Sequence, residues 1–231
     1  MKQESLDELS AFLELTRIPR PSGHLSRILG YLQEFSKSHG LGYKKDAAGT
    51  ILILREGSSG KTVVLQSHQD MVPNSVKEFD FATTPLKTVI EDGWIRADGT
   101  TLGADDGSGI ALMLCALIDP ELEGIPLECL FTADEEIGLI GASKLEEGWL
   151  KGRVMINLDN EDADDITIGS AGSTDVASTF TFERIPCSGK MYRMRVDGLL
   201  GGHSAGMIAS GRANAILLTA GFLALLDDIR L

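Results

Sequence analysis

Four short acidic or histidine-bearing stretches punctuate the first 160 residues and constrain the fold more than any other feature: Ser67-His68-Gln69-Asp70, Ala104-Asp105-Asp106, Asp134-Glu135-Glu136 and Leu158-Asp159-Asn160. Each follows, or nearly follows, an apolar run. A parallel sheet delivers the residues at its strand ends to one edge, where open α/β folds build their sites. One imidazole and several carboxylates gathered there, with little nearby basic charge, repel one another and resist ionisation unless a cation sits among them. The economical cation is a metal.

The rest of the chain reads as the scaffold for such an edge. Ser5 with Glu8 makes a capping box, and Leu6, Leu9, Phe12 and Leu13 recur at helical spacing. Pro19, Pro21, Ser22 and Gly23 break that helix, and Ile28, Leu29, Leu32 and Phe35 mark a second, ending near His39-Gly40. Residues 50–54 and 62–66 are β-branched and aliphatic runs separated by Gly57-Ser58-Ser59-Gly60, and 86–90 with 94–97 read as a peripheral hairpin. Over 106–118 the apolar residues cover most of a helix surface, which predicts burial on more than one side. Residues 127–133 and 154–158 are further apolar strands running into acid. The βαβ alternation predicts an α/β fold with a mostly parallel, mixed sheet flanked by helices.

After Gly169-Ser170-Ala171-Gly172 the pattern changes. Residues 175–183 and 191–197 alternate in period two, as antiparallel strands with one wet face do, and a helix is expected over about 207–226. We therefore expect two units, 1–172 and a smaller α+β unit at 173–231.

Composition narrows the function. Lys and Arg total 21 against 34 Asp and Glu, a formal net charge of −13, which opposes a nucleic-acid partner and an acidic membrane surface alike. Cys115, Cys129 and Cys187 lack CxxC spacing and read as free thiols of a reducing, cytoplasmic compartment. The polar start, Met1 to Glu8, carries no secretory signal, so the mature chain is expected to begin there. Residues 213–226 fall short of the ~20 apolar residues of a membrane span and contain Asn214 and Thr219, so they predict a buried helix.

Each stretch also has an ordinary reading. His68 and Asp70 lie two apart, so their side chains can project to the same side of a strand, as a metal-binding imidazole with its supporting carboxylate or as a surface pair. In Gly103-Ala104-Asp105-Asp106-Gly107 a carboxylate at a helix N-terminus is favoured by the dipole, whether as a cap or as a ligand. Phosphate is a poor match there, because two carboxylates at the mouth would repel it. Asp134-Glu135-Glu136 permits a division of labour in which one Glu binds metal and its neighbour serves as general base. Asp159 ends the next strand in the same manner.

Taken together, SHQDMV, DGTTLGADDGSGIA, FTADEEIGLIGA and INLDNED, with the earlier IPRPSGH and the later GLLGGHSAGMI, resemble the zinc-dependent metallopeptidase family of dipeptidases, aminoacylases and carboxypeptidases. The likeness is greatest to its aminoacyl-histidine dipeptidase branch. It implies two divalent metals, Zn with Co or Mn as alternatives. His68 and Asp159 become ligands of the first metal, Asp105 the bridge, Glu136 a ligand of the second, Glu135 the general base and Asp70 the support behind the site. An Asp at position 159 goes with aminopeptidase or dipeptidase action in that family, and a cis peptide is expected at Asp105-Asp106. His203 resembles the lid histidine that reaches a partner's active site in family dimers and steadies the substrate carbonyl oxygen. Arg212 and Asn214 fall where the lid helix begins and are candidates for holding a substrate carboxylate, while His24 is taken as structural.

The resemblance further implies a metal-binding peptidase domain at 1–172 that lacks a returning C-terminal part, and a partial lid or dimerisation domain at 173–231. Members of the branch are roughly twice as long, and the distal histidine of the second metal has no match among His24, His39, His68 and His203. That metal is left with Asp105 and Glu136, fewer than the three protein ligands usual at catalytic zinc. The expected activity is hydrolysis of dipeptides of the Xaa-His type. The alternatives are a truncated, inactive metal-binding or dimerising chain, and an N-acyl-amino-acid hydrolase.

Overall fold

The computed structural model describes residues 6–160, 164–169, 172, 174, 176–184, 186, 188–202, 207 and 209–226. By its contacts the chain divides into two units, Met1–Ser170 and Ala171–Leu231.

The first unit opens with α1 (Glu8–Leu15) and α2 (Ser26–Ser38), followed by β1 (Gly42–Lys45), β2 (Ile51–Arg55) and β3 (Val63–His68). A hairpin of β4 (Thr88–Glu91) and β5 (Trp94–Ala97) precedes α3 (Ala104–Ile118), β6 (Leu127–Thr132), a short α4 (Ile140–Ser143) and β7 (Val154–Asn157). The sheet has five strands in the order β1-β2-β6-β3-β7. β3 runs parallel to both β6 and β7, whereas β2 is antiparallel to β6 and to β1, so the sheet is mixed. The α1 cap differs from the expected one: Ser5 lies outside the described residues, and the Asp7 side chain accepts from the Ser10 amide at 2.9 Å. A free carboxylate one residue before the first turn satisfies an orphan donor directly.

The two faces of the sheet are unequally covered. Ile51 and Ile53 of β2 with Cys129 and Phe131 of β6 pack under α1, α2 and α3 in a core that includes Phe12, Leu15, Ile28, Leu32, Ile110 and Leu114. The alternate residues Leu52, Val64 and Leu130 face a smaller cluster with Leu145, Trp149 and Leu150. This is the period-two division of a strand between two faces. Burial of α3 on several sides matches the expectation, although Leu112 emerges half exposed. Cys115 and Cys129 are buried free thiols, and Cys187 lies outside the described residues.

β7 is an edge strand, opposite β1, and all four of its residues are exposed. In the second unit the described residues form one helix, α5 (Ala215–Leu223), and no strand. The strands expected over 175–183 and 191–197 are not formed among the described residues: alternation suits a strand but supplies no neighbouring ladder, and Phe180, Phe182 and Tyr192 are exposed. The α5 start is set by Asn214, whose side chain accepts from the Ile216 and Leu217 amides at 2.9 and 3.1 Å, so this helix begins later than expected. None of its residues is buried, and Ile216, Leu217, Leu218 and Phe222 are exposed. No described helix is long and apolar enough to cross a membrane.

Candidate metal centre

The parallel pairing of β3 with β6 sets Ser67 opposite Phe131 and His68 opposite Thr132, so the two strands end side by side. The Leu158 amide donates to Gln66 O at 2.9 Å, which carries Asp159 to the same edge. The α3 start supplies the fourth group. Gly103 takes the left-handed conformation at φ 71°, the Asp105-Asp106 peptide is cis, and neither aspartate has helical dihedrals. The two acids then divide the readings left open by the sequence. Asp106 serves as the cap, its Oδ1 accepting from the Gly109 amide at 3.1 Å, while its Oδ2 accepts from the His68 amide at 3.3 Å, and Asp105 reaches the His68 ring.

His68 is the centre of the cluster and only 1% exposed. Its Nε2 lies 2.9 Å from Asp105 Oδ1 and 4.0 Å from Asp159 Oδ2. Its Nδ1 lies 3.1 Å from Asp70 O and 3.5 Å from Asp70 Oδ1. Two sets of donor atoms fall within 4.8 Å of one another: His68 with Asp105 and Glu136, and His68 with Asp106 and Asp159. The fully buried Asp70 carboxylate accepts from Ser22 Oγ at 2.7 Å, the Glu135 amide at 2.9 Å and the Glu136 amide at 3.3 Å. It therefore fixes the backbone of both glutamates as well as touching the imidazole.

The electrostatics follow from these contacts. Burial would lower the His68 pKa, but the contacts to Asp105 and Asp70 and the charge of Asp159 raise it to about 10. Burial pushes the Asp70 carboxyl up, and the hydrogen bonds from His68, Ser22 and Glu135 outweigh it, leaving the pKa lowered. Glu135 is raised by burial and by the charges of Asp159, Asp70 and Asp105, against the opposing charge of His68. Glu136 is raised by burial and then by Asp105, and burial lifts Asp106 to about 6.

The donor set fits a divalent metal. It offers one imidazole nitrogen and carboxylate oxygens, the chemistry of zinc sites and of sites accepting Co or Mn. Two ligands of a tetrahedral zinc with bonds of ~2.0–2.1 Å lie about 3.3 Å apart. The 2.9 Å separation of His68 from Asp105 is a hydrogen bond that needs to open by only a few tenths of an ångström. A metal would replace the proton that now holds the pair together.

One expectation needs correction. The cluster does have a nearby base: Arg20, 3% exposed, sits behind it. Burial lowers the Arg20 pKa to about 10 against the opposing charges of Asp106, Asp70, Asp105 and Glu136. Its nitrogens are committed to backbone, Nη1 donating to Gln69 O at 3.2 Å and Asp70 O at 2.8 Å, and Nη2 to Gly103 O. Ser22 and the Gly23 amide, which donates to Asp134 Oδ1 at 2.7 Å, were likewise missed, because the prolines and glycine around them read only as a helix break. The available signal was an arginine held between two prolines, in a motif otherwise free of acid. Arg212 donates to Gly201 O, and Asn214 is occupied as a helix cap. His203 lies outside the described residues.

Residues 64–212 match the model of peptidase family M20/M25/M40. The chain is 38% identical over 221 residues to the cytosol non-specific dipeptidase of Escherichia coli, covering 92% of this chain and 46% of that protein. The structure superposes on the crystal structure of an aminoacylhistidine dipeptidase from Vibrio alginolyticus with a TM-score of 0.64 and 32% identity, over 94% of this chain and 46% of the other. A tripeptidase from Staphylococcus aureus gives a TM-score of 0.58 at 29% identity, covering 68% and 44% respectively. The chain thus spans about half the length of the relatives it matches. A family match across the strand-end motifs, joined to this mixed sheet and its cluster of imidazole and carboxylates, makes the chain a member of peptidase family M20/M25/M40.

Proposed function

We propose that the chain carries the metal centre of a dipeptidase that cleaves dipeptides of the Xaa-His type, with 1–172 as its metal-binding domain and 173–231 as part of a lid. The observation that carries the reading is the approach of His68, Asp105 and Glu136 donor atoms to within 4.8 Å where the β3 end and the loop after β6 meet the α3 start. In this reading His68 and Asp159 would hold one divalent ion and Glu136 a second, with Asp105 a ligand common to both. When bound, Zn, Co or Mn lowers the pKa of a water to about 7 and polarises the peptide carbonyl. Glu135 takes the proton of the attacking water and passes it to the leaving amine. Its raised pKa suits a base that must both accept and return a proton. Asp70 keeps the imidazole oriented and holds the Glu135 and Glu136 amides in place.

The substrate class follows the relatives' names, an aminoacylhistidine dipeptidase and a non-specific dipeptidase, as does residence in the cytosol. His203 is assigned to the substrate carbonyl oxygen across a homodimer formed through the lid. A second reading is favoured by one observation: among the described residues both candidate metal groups depend on the same His68, which fits one ion better than two. On that reading the chain binds a single metal without turnover.

Metal analysis paired with hydrolysis of carnosine-type and other Xaa-His dipeptides, and of N-acetyl amino acids, separates these. The dipeptidase reading expects two ions per chain, and Glu135→Ala lowers turnover by roughly 10²–10⁴-fold at unchanged metal content. One ion with no turnover of any dipeptide overturns it.

A further inference from the structure

The segment between α1 and α2 touches every loop that carries a candidate ligand in the first unit except the one after β7. Arg20 reaches the loop after β3 with Nη1, through Gln69 O and Asp70 O, and the turn before α3 with Nη2, through Gly103 O. Its own carbonyl accepts from the Met71 amide at 3.1 Å, and the Ser22 amide donates to Met71 O at 3.2 Å, so the segment also runs alongside that loop. Ser22 Oγ bonds the Asp70 carboxylate, and the Gly23 amide bonds Asp134 beside the two glutamates. Asp134 itself holds a left-handed conformation at φ 50°.

The guanidinium is a rigid planar fork with its two terminal nitrogens at a fixed spacing. One nitrogen serves the loop that carries His68 and Asp70, and the other serves the turn that carries Asp105. We propose that Arg20 is a positioning residue for the metal centre: its fork sets the separation of His68 from Asp105, and the 20–23 segment acts as a strap across the three site loops. The proposal rests on the metal-centre reading above for its purpose, but not for its geometry. Arg20 touches no reacting atom, and it forms no ion pair with a carboxylate among the described contacts. Its role is to satisfy carbonyls of two loops at once and so keep them in register. A buried carbonyl that loses its donor is costly, and loops that lose a shared donor are free to separate.

The test compares Arg20→Lys and Arg20→Met with the unaltered chain. Lysine keeps the charge and the apolar stem but has one nitrogen, which cannot span both loops as the fork does. Zinc affinity is measured by chelator competition well below the melting temperature, and the cobalt form is followed by its visible absorption. Loss of an outer partner of a metal ligand typically costs roughly 10–100-fold in affinity. Arg20→Lys is expected to lose about 10-fold and Arg20→Met about 100-fold, on the same scale, with an altered cobalt spectrum. If the Met variant does not fold, the Lys variant decides the matter alone.

A second readout needs no metal. In the metal-free chain the amides of Met71 and Gly107, which bond Arg20 O and Gly103 O, are expected to exchange with solvent at least about tenfold faster in Arg20→Lys, while β6 amides keep their protection. Folded variants with zinc affinity within about twofold of the parent and unchanged exchange at both loops overturn the strap. If the unaltered chain binds no metal, the dipeptidase reading fails, and the exchange result still decides whether Arg20 holds the loops.

Discussion

β6 and β7 carry the same pattern, an aliphatic run that ends in acid, and meet opposite fates. Every residue of β6 is buried, with Cys129 and Phe131 on one face and Leu130 on the other. Every residue of β7 is exposed, Met155 and Ile156 at 50% and 48%. Both pair with β3 in parallel, so the difference lies in neighbours rather than in the strand. β6 has β2 on its far side, whereas β7 has none. The difference reaches the candidate metal centre: His68, from the interior, is 1% exposed at its side chain, whereas the Asp159 side chain, delivered by the edge strand, is 36% exposed. Of the candidate ligands that strands deliver, the one from the interior is buried and the one from the edge is open to solvent, as is Asp105 at the α3 start, 50% exposed at its side chain.

Four predictions test that contrast. Phe131→Ala removes a fully buried aromatic and is expected to cost about 3–5 kcal/mol of folding stability by urea unfolding. A cost under about 1 kcal/mol would place the core elsewhere. Next in size, His68→Ala is expected to reduce zinc affinity by more than the roughly 10–100-fold that loss of an outer partner costs. Asp159→Ala, at the exposed edge, should lose only about tenfold by the same chelator competition, and an equal loss for the two would erase the distinction between interior and edge. Smallest is Ile156→Ala on β7, expected to shift stability by no more than ~0.5 kcal/mol, as exposed positions do.

Protonation offers a further way to sharpen the comparison. In the metal-free chain the folded pKa of His68, about 10, lies above the ordinary 6.5, so its stabilising contribution is complete below about pH 6.5 and is lost as pH rises toward 10. Asp70 has the opposite sign: its folded pKa is lowered, so its contribution is present above about pH 4 and is lost as pH falls further. Urea unfolding against pH, in chelator, is expected to show stability declining on the alkaline side, and His68→Ala is expected to flatten that limb. An alkaline limb unchanged by the substitution would contradict the imidazolium's place among Asp105, Asp70 and Asp159.

Much of this was legible before any coordinates. Val63 to His68 and Leu127 to Thr132 announce themselves as strands because each opens on or is dominated by aliphatic residues over a strand's length, Glu128 apart, as strands of a covered sheet do. The approach of Asp159 to His68 was legible from the topology, since parallel strands must end at one edge, and Asp105 and Glu136 reach the same imidazole from the α3 start and the loop after β6. What was not legible depends on contacts distant in sequence. β1 has the composition of a turn, and it is a strand because β2 offers it an edge. The exposure of β7 depends on a neighbour the strand itself does not encode. Arg20 acts on carbonyls 49 to 83 residues away, and backbone carbonyls carry no residue-type signal. Asp105 and Asp106 are the same residue type side by side, so only the turn of the backbone decides which one caps the helix and which one bonds the His68 ring.

The central claim is that the strand ends form a metal centre built on His68 and carboxylates. X-ray absorption at the zinc edge, on the chain loaded with zinc and washed of excess, tests it most directly. The account predicts a first shell of oxygens with one imidazole nitrogen per chain, at about 2.0–2.2 Å, and loss of the imidazole signature in His68→Ala. A shell containing sulfur at about 2.3 Å, or an imidazole signal that survives the substitution, would contradict it.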